Sequence, residues 1–304
     1  MQVVHGHRRA TWSGAAVAIG NFDGVHAGHR ALAARALELA HAADLQAVGL
    51  TFEPHPAGVV GQGAPPRLTS VARKLELLAA TGLDAVVVEP FTRELAGLAP
   101  DAFVDQILVD ALAARAIVVG YDFNYGSARA GTIDTLREHC ARAGIELAVV
   151  PAIEVDGVVA SSSKIRACLE AGSVAEANRL LGRPWDVDGV VSHGAKRGRA
   201  IGIATANITP TSDLPLAPGI YAVTLAAEGG PAMPAVASLG TNPTFVEGGH
   251  LVLEVHVIDW EGDLYDRRVR TTFIARLRDE LKFDSVDALV AQIQLDIADA
   301  RRVL

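Results

Sequence analysis

Cysteine is nearly absent: Cys140 and Cys168 are the only two in 304 residues. Two thiols exclude a disulfide framework, and no zinc-ligand spacing surrounds either one. Both lie in segments with a helical pattern and read as packing residues. Aromatic residues make up only 5 % of the chain. Long apolar runs are missing too, although 50 % of the residues are apolar and the mean hydropathy is +0.27. None approaches the ~20 residues of a membrane span. His5, His7, Arg8 and Arg9 near the start are not followed by the apolar stretch of a signal peptide. The expectation is a soluble cytoplasmic protein with no membrane partner. Positive charge is outnumbered, 27 Lys and Arg against 35 Asp and Glu, for a net charge of −8. A broad basic face for nucleic acid is therefore not expected. A Walker A pattern and a Gly-x-Gly-x-x-Gly after a strand are both lacking, which disfavours a P-loop kinase and a dehydrogenase.

What is present is alternation. Short apolar runs at 15–19, 47–52, 85–88, 116–120 and 147–151 are separated by helical patterns near 30–43, 70–81, 100–114 and 132–143. This predicts an α/β domain built on a parallel sheet with both faces covered. Gly61-Gln62-Gly63-Ala64-Pro65-Pro66 reads as a mobile lid or surface connection. Two short helices are expected within 161–182. Gly182-Arg183-Pro184-Trp185 then punctuates the chain. From 187 to 273, short strands alternate with turns such as Pro218-Gly219, Gly229-Gly230-Pro231 and Gly262-Asp263, the pattern of an all-β block, a small barrel. A terminal amphipathic helix follows, with Val286, Leu289, Val290, Ile293 and Ile297 on one side. The domains predicted are 1–184 and 185–304.

The most informative stretch is Gly20-Asn21-Phe22-Asp23-Gly24-Val25-His26-Ala27-Gly28-His29. It joins an apolar strand to an Ala/Leu-rich helix, the place where open α/β sheets bind ligands. Its glycines let the backbone bend and a ligand approach. The helix start offers unpaired N–H groups suited to phosphate. His26 and His29, three apart, share a face of the first turn and can stabilise charge that develops on a transferred phosphoryl or nucleotidyl group. The plainer reading of either histidine is a helix cap or a surface residue.

Other strand ends carry chemistry. Thr51-Phe52-Glu53-Pro54-His55-Pro56 gives a rigid exit with His55 facing the crevice or serving only as a turn. Ser70 is a plausible cap for the next helix, with Lys74 one turn in. Gly120-Tyr121-Asp122-Phe123-Asn124-Tyr125-Gly126 sets an acid among aromatics, suited to a stacked ring. Ser161-Ser162-Ser163-Lys164-Ile165-Arg166 opens a helix with hydroxyls and two cations, either a phosphate clamp or a simple cap.

Together these four motifs resemble the adenylyltransferase module of prokaryotic bifunctional riboflavin kinase/FAD synthetases, members of the His-x-Gly-His nucleotidyltransferases. The resemblance implies a Rossmann-like sheet with Gly20, Phe22, Asp23, His26, Gly28 and His29 around ATP. It implies that Ser162, Ser163, Lys164 and Arg166 close over the phosphates, and that His55, Asp122, Phe123 and Asn124 contact flavin. FMN is then the nucleophile at the α-phosphorus and pyrophosphate leaves. The protein supplies positioning and charge stabilisation. Tyr121 stands where the family often has an acid, and Lys164 where it often has Arg.

In the β block, His193-Gly194-Ala195-Lys196-Arg197-Gly198-Arg199 is a basic Gly-rich loop able to wrap polyphosphate, or else a solvated hairpin. Thr205 and Asn207 are two apart and face the same way in an extended segment. Neutral oxygens with phosphate oxygens suit Mg²⁺. Along Leu251-Val252-Leu253-Glu254-Val255-His256-Val257, Glu254 and His256 share the face opposite Leu253 and Val255. A carboxylate there must be solvated or paired. Glu254 is either an outward barrel residue or a general base.

These pieces resemble the riboflavin kinase module of the same family, a six-stranded barrel with a terminal helix. Pro218-Gly219-Ile220-Tyr221-Ala222, Gly240-Thr241-Asn242-Pro243-Thr244-Phe245 and Asp259-Trp260-Glu261-Gly262-Asp263-Leu264-Tyr265 extend the match. The resemblance implies that Gly194, Lys196, Gly198 and Arg199 hold ATP, that Thr205 and Asn207 bind Mg·ATP, and that Glu254 deprotonates the ribityl 5′-hydroxyl. Family members usually carry Phe-Pro-Thr-Ala-Asn, here Ile203-Ala204-Thr205-Ala206-Asn207, which removes a fixed φ beside the metal ligand. The expected partners are riboflavin, FMN, ATP and Mg²⁺, with the oligomeric state open. The alternatives are an enzyme with only the adenylyltransferase active, a flavin or nucleotide sensor, and a tRNA-handling relative, the last disfavoured by the net charge.

Overall fold

The computed structural model describes residues 1–61, 63–193, 203–241 and 251–304. Two compact units emerge: residues 1–65 with 71–160, and residues 66–70 with 161–304.

The first unit is built on six parallel strands, β1 (Gln2–His5), β2 (Ala15–Ile19), β3 (Gln46–Glu53), β4 (Ala85–Pro90), β5 (Ala114–Gly120) and β6 (Glu146–Val150). Their order is β1-β4-β3-β2-β5-β6. The chain steps outward from β2 to β3 and β4, then returns to the other side of β2 as β5. The switch point therefore lies between β2 and β5, the place at the carboxyl ends where open α/β sheets bind ligands. Every residue of β2 is buried, because helices cover both faces. Ala16 and Ala18 pack against Leu32, Ala33 and Ala36 of α1 (Ala27–Ala43). Val17 and Ile19 face Phe103, Leu108 and Leu136 on the other side. Alanines on the α1 side let helix and strand approach closely.

The remaining helices of this unit are α2 (Pro56–Val59), α3 (Val71–Ala79), α4 (Arg93–Ala96), α5 (Pro100–Phe103), continued by a π-helical stretch Val104–Ala111, and α6 (Ile133–Ala143). The helix expected over 100–114 is shorter. Ala113 turns the chain with a φ of 48°, and Ala114 already belongs to β5. Two elements escaped the sequence pattern. β1 buries only Val4, so it carries no periodic signal, yet it pairs with β4 along its whole length. The hairpin β7 (Glu154–Val155) and β8 (Val158–Val159) is too short for one; Asp156 and Gly157 turn it with φ of 54° and 76°.

The second unit contains α7 (Ser162–Glu170), α8 (Val174–Leu181), six strands and a terminal helix, α9 (Val286–Val303). The strands β9 (Trp185–Ser192), β10 (Ala206–Pro210), β11 (Gly219–Ala227), β12 (Ala232–Thr241), β13 (Leu251–Val257) and β14 (Arg268–Arg278) close an antiparallel barrel in the order β10-β13-β12-β11-β14-β9. Its interior holds Trp185, Tyr221, Val223, Leu239, Leu253, Val255 and Phe273. The two helices before residue 184 pack with this barrel. Asn178 of α8 accepts from the Trp185 N–H at 2.7 Å and donates to the Phe273 carbonyl at 2.9 Å.

The buried side of α9 is the expected one at Ile293 and Ile297 and departs from expectation at its start. Val286 is 58 % exposed, while Asp296, Ile297 and Ala300 are buried. Ile297 and Ala300 cover Ile220, Ala222, Val236 and Ile258 on the outside of the barrel. Asp296 receives two bonds from Arg278, 2.7 and 2.6 Å. The helix is thus seated by its second half. Both cysteines are free and buried, in α6 and α7 as expected.

Candidate functional sites

The turn after β2 is the first site. Its backbone takes positive φ at Phe22 (51°), Gly24 (82°) and Val25 (44°). Two of these are not glycine, a strained geometry typical of functional turns. Phe22 and Val25 are buried, so packing holds the strain. His26 is the N-cap of α1, its Nδ1 accepting from the Gly28 N–H at 3.1 Å. An accepting Nδ1 places the ring proton on Nε2, which remains a donor. The plainer reading of His26 as a helix cap holds. A Cβ on Gly28 would lie 3.1 Å from His26 Cε1, so glycine lets this cap close.

His29 stacks on His26 with ring centroids 3.7 Å apart and meets Phe22 at 5.2 Å. Burial, then the neighbouring His26, Lys74 and Arg30, hold its pKa well below 6.5. His29 is therefore neutral at pH 7. Its Nδ1 is buried without a hydrogen-bond partner. A buried lone pair costs less than a buried N–H, which favours the proton on Nε2.

The carbonyls of the turn are pulled back by two cations. Arg30 donates to the Val25 carbonyl at 3.1 Å. Lys74, 4 % exposed, donates to the Asn21 carbonyl at 3.3 Å, to Thr51 Oγ1 at 3.3 Å and to Glu53 Oε1 at 2.6 Å. Lys74, expected one turn into its helix, shares the buried face of α3 with Leu78. His55 caps α2, its Nδ1 accepting from Ala57 at 3.2 Å, and its Nε2 lies 3.5 Å from the Asn21 amide. The exit of β3 thus comes beside the turn of β2.

Beyond β5, Asp122 is exposed and its carbonyl accepts from the Asn124 amide at 2.8 Å. Phe123 stacks on Tyr125 at 5.5 Å and packs against the core. In the second unit, the α7 cap is Ser161, which accepts from the Lys164 N–H at 3.2 Å. Ser162 and Ser163 occupy its first turn. Lys164 pairs with Glu176 at 3.4 Å, and Arg166, 8 % exposed, donates to the Pro66 carbonyl at 2.6 Å.

The barrel carries the second site. Asn207 on β10 stands directly opposite Glu254 on β13. Glu254 in turn faces Ser238 on β12, and Asn207 faces Ser192 on β9. Residues opposite in an antiparallel pair share a face, so four polar side chains form a row across four strands. Leu253 and Val255 point into the barrel, which puts the row on its outer surface, half-buried. His256 on the same face binds the Ala204 carbonyl at 2.8 Å and tethers the segment that leads through Thr205 into β10. Gly194, Lys196, Gly198 and Arg199 lie outside the described residues.

Residues 8–164 match the sequence model of the FAD synthetase family, and residues 181–304 that of the riboflavin kinase family. A bifunctional riboflavin kinase/FMN adenylyltransferase from Pseudomonas fluorescens is 38 % identical, over 99 % of this chain and 97 % of its own. This chain belongs to the bifunctional riboflavin kinase/FMN adenylyltransferases.

The relative of that name from Escherichia coli K12 is 36 % identical over 98 % of this chain and 95 % of its own. A crystal structure from Streptococcus pneumoniae, described as a macrolide-efflux protein, superposes with a TM-score of 0.89 at 31 % identity and covers 99 % of both chains. Among the described residues no helix is long and apolar enough to cross a membrane. As a bifunctional riboflavin kinase/FMN adenylyltransferase, the chain uses ATP twice. It phosphorylates riboflavin to FMN and adenylylates FMN to FAD.

Proposed function

We propose that the two reactions are divided between residues 1–184 and 185–304, with adenylyl transfer at the β2–α1 turn and phosphoryl transfer on the outer face of the barrel. The observation that carries the division is the pair of unlike sites: two stacked histidines at a helix start, and a carboxylate opposite an amide on a strand pair.

For adenylyl transfer, the α1 N–H groups and the Nε2–H donors of His26 and His29 hold the ATP phosphates. They stabilise negative charge as the FMN phosphate bonds to the α-phosphorus and the bond to pyrophosphate breaks. Gly20, Phe22, Asp23 and Gly28 shape the turn. Ser162, Ser163, Lys164 and Arg166 join the ATP site, and His55, Asp122, Phe123 and Asn124 the flavin site, on the strength of family resemblance. For phosphoryl transfer, Glu254 takes the proton of the ribityl 5′-hydroxyl as that oxygen attacks the γ-phosphorus and ADP leaves. Asn207 and Thr205 supply neutral oxygens, hard donors that fit Mg²⁺. Among the described residues no cluster of three or more His, Cys, Asp or Glu could hold a metal by itself, which fits an ion carried largely by ATP. Bound there, Mg²⁺ would neutralise phosphate charge. The enzyme works in the cytoplasm, on small molecules.

Flavin chromatography tests the division. Riboflavin, or FMN in its place, is supplied with ATP and Mg²⁺ to the parent, His29→Ala and Glu254→Gln chains. The expected result is FMN without FAD from His29→Ala, and FAD only from supplied FMN with Glu254→Gln. Equal loss of both activities in either folded variant would overturn it.

A further inference from the structure

Lys74 is a buried charge with no assigned task, in a place where a charge is costly. Only 4 % of it is exposed. Its ammonium makes three contacts, to Glu53 Oε1 at 2.6 Å, Thr51 Oγ1 at 3.3 Å and the Asn21 carbonyl at 3.3 Å. Thr51 Oγ1 also donates to the Asn21 carbonyl, at 3.1 Å. All three partners belong to the β2 turn or the end of β3. A methionine or leucine would fill the same volume without desolvating an ion.

We infer that Lys74 is a positioning residue for adenylyl transfer: its ammonium, bonded to the Asn21 carbonyl and to Thr51 and Glu53 of β3, fixes the path of the turn that leads to His26 and His29.

Three observations converge on this. The first is direction. With the Asn21 carbonyl bonded to Lys74 and the Val25 carbonyl bonded to Arg30, two negative ends of the turn are held by cations, which lowers their repulsion toward an anion. The second is electrostatic. His29 faces His26, Arg30 and the Phe22 ring from its own segment, and Lys74 from α3 with Glu53 of β3 behind it. A proton on His29 would add a cation close to Lys74 and Arg30; burial first, and the neighbouring charges after it, hold its pKa well below 6.5. The third is balance. Glu53 Oε1, 2.6 Å from the ammonium, sets an opposite charge against the buried lysine.

The inference rests on the reading that the β2–α1 turn is the adenylyl-transfer site, and the test separates the two. The full-length Lys74→Met, Glu53→Gln and His29→Ala chains are each assayed for FMN adenylylation and riboflavin phosphorylation. The His29 ring is titrated by NMR in the first two and in the parent. In Lys74→Met, kcat for adenylylation should fall about a hundredfold, the cost of a misplaced catalytic turn. The KM for ATP should change far less, and riboflavin phosphorylation should stay intact. The His29 ring should titrate at higher pH than in the parent. Glu53→Gln removes the opposing charge but keeps the lysine, so there the ring should titrate at lower pH. A lysine that served only packing would not lower kcat for adenylylation while leaving the KM for ATP and riboflavin phosphorylation in place. An unmoved His29 titration in both variants would overturn the inference, as would unchanged kcat in Lys74→Met. Should Lys74→Met fail to fold, Glu53→Gln decides alone, and an unmoved titration there overturns it. Full adenylylation by His29→Ala would instead overturn the underlying reading of the turn.

Discussion

Asn207 and Glu254 face each other across the β10–β13 pair, one residue directly opposite the other. Forty-odd residues of sequence separate them, and only the barrel's register makes them neighbours. An amide oxygen beside a carboxylate gives a site in which metal-bound phosphate and a substrate hydroxyl can be held within reach of one base. The same register adds Ser192 and Ser238 at either side.

Glu254→Gln keeps size and hydrogen bonding but gives up the proton acceptor. A general base contributes roughly 10²–10⁴-fold, so kcat for riboflavin phosphorylation should drop within that range while riboflavin still binds. Steady-state kinetics with riboflavin, alongside flavin-binding titration, check it. Unchanged turnover would move the role to Asp259, Glu261 or Asp263.

Gly28→Ala should separate activity from stability. An alanine gains about 0.5–1 kcal/mol of helix propensity over glycine, while loss of the His26 cap costs about 1 kcal/mol. The two nearly cancel, so the melting temperature should scarcely move. The methyl, 3.1 Å from a ring already stacked on His29, must displace that stack, so FAD formation should fall. Calorimetry and FMN turnover on the same sample decide it. Full turnover would mean the stack tolerates displacement.

His29 also sets a pH dependence. Its folded pKa lies well below 6.5, the value it regains on unfolding. Below 6.5 the unfolded chain binds a proton that the folded chain refuses, so stability falls as pH drops through this window and is fully restored above it. Thermal unfolding from pH 5 to 8 should show a loss on the acid side that is smaller in His29→Gln. Parallel curves for the two chains would remove His29 as the cause.

A fragment cut after Arg183 tests how far the first module stands alone. In the whole chain α8 buries Val174, Ala177, Leu180 and Leu181, and its Asn178 serves Trp185 and Phe273. The cut exposes that apolar face and strands the amide. The fragment should bind FMN and ATP but aggregate at lower temperature than the whole chain, as light scattering would report. A monodisperse fragment of undiminished melting temperature would contradict this.

Much was determined by sequence alone. The parallel sheet followed from apolar runs punctuated by helices, since a strand buried on both faces needs no polar side. The β2–α1 turn was marked by glycines and two histidines at a strand-to-helix junction, a purely local pattern. Glu254 stood out because a carboxylate inside an apolar strand is costly. What tertiary structure decided were the pairings. β1 has one buried residue in four and exists as a strand only because β4 offers an edge. Lys74 is 53 residues from Asn21, so nothing local marks it as the cation bonded to the turn. On α9 the expected face is kept at Ile293 and Ile297, while Arg278 of β14 adds Asp296 to the buried side and Val286 is left in water. Local spacing encodes the faces of helices and strands, whereas which face meets which partner depends on contacts made only once the chain has closed.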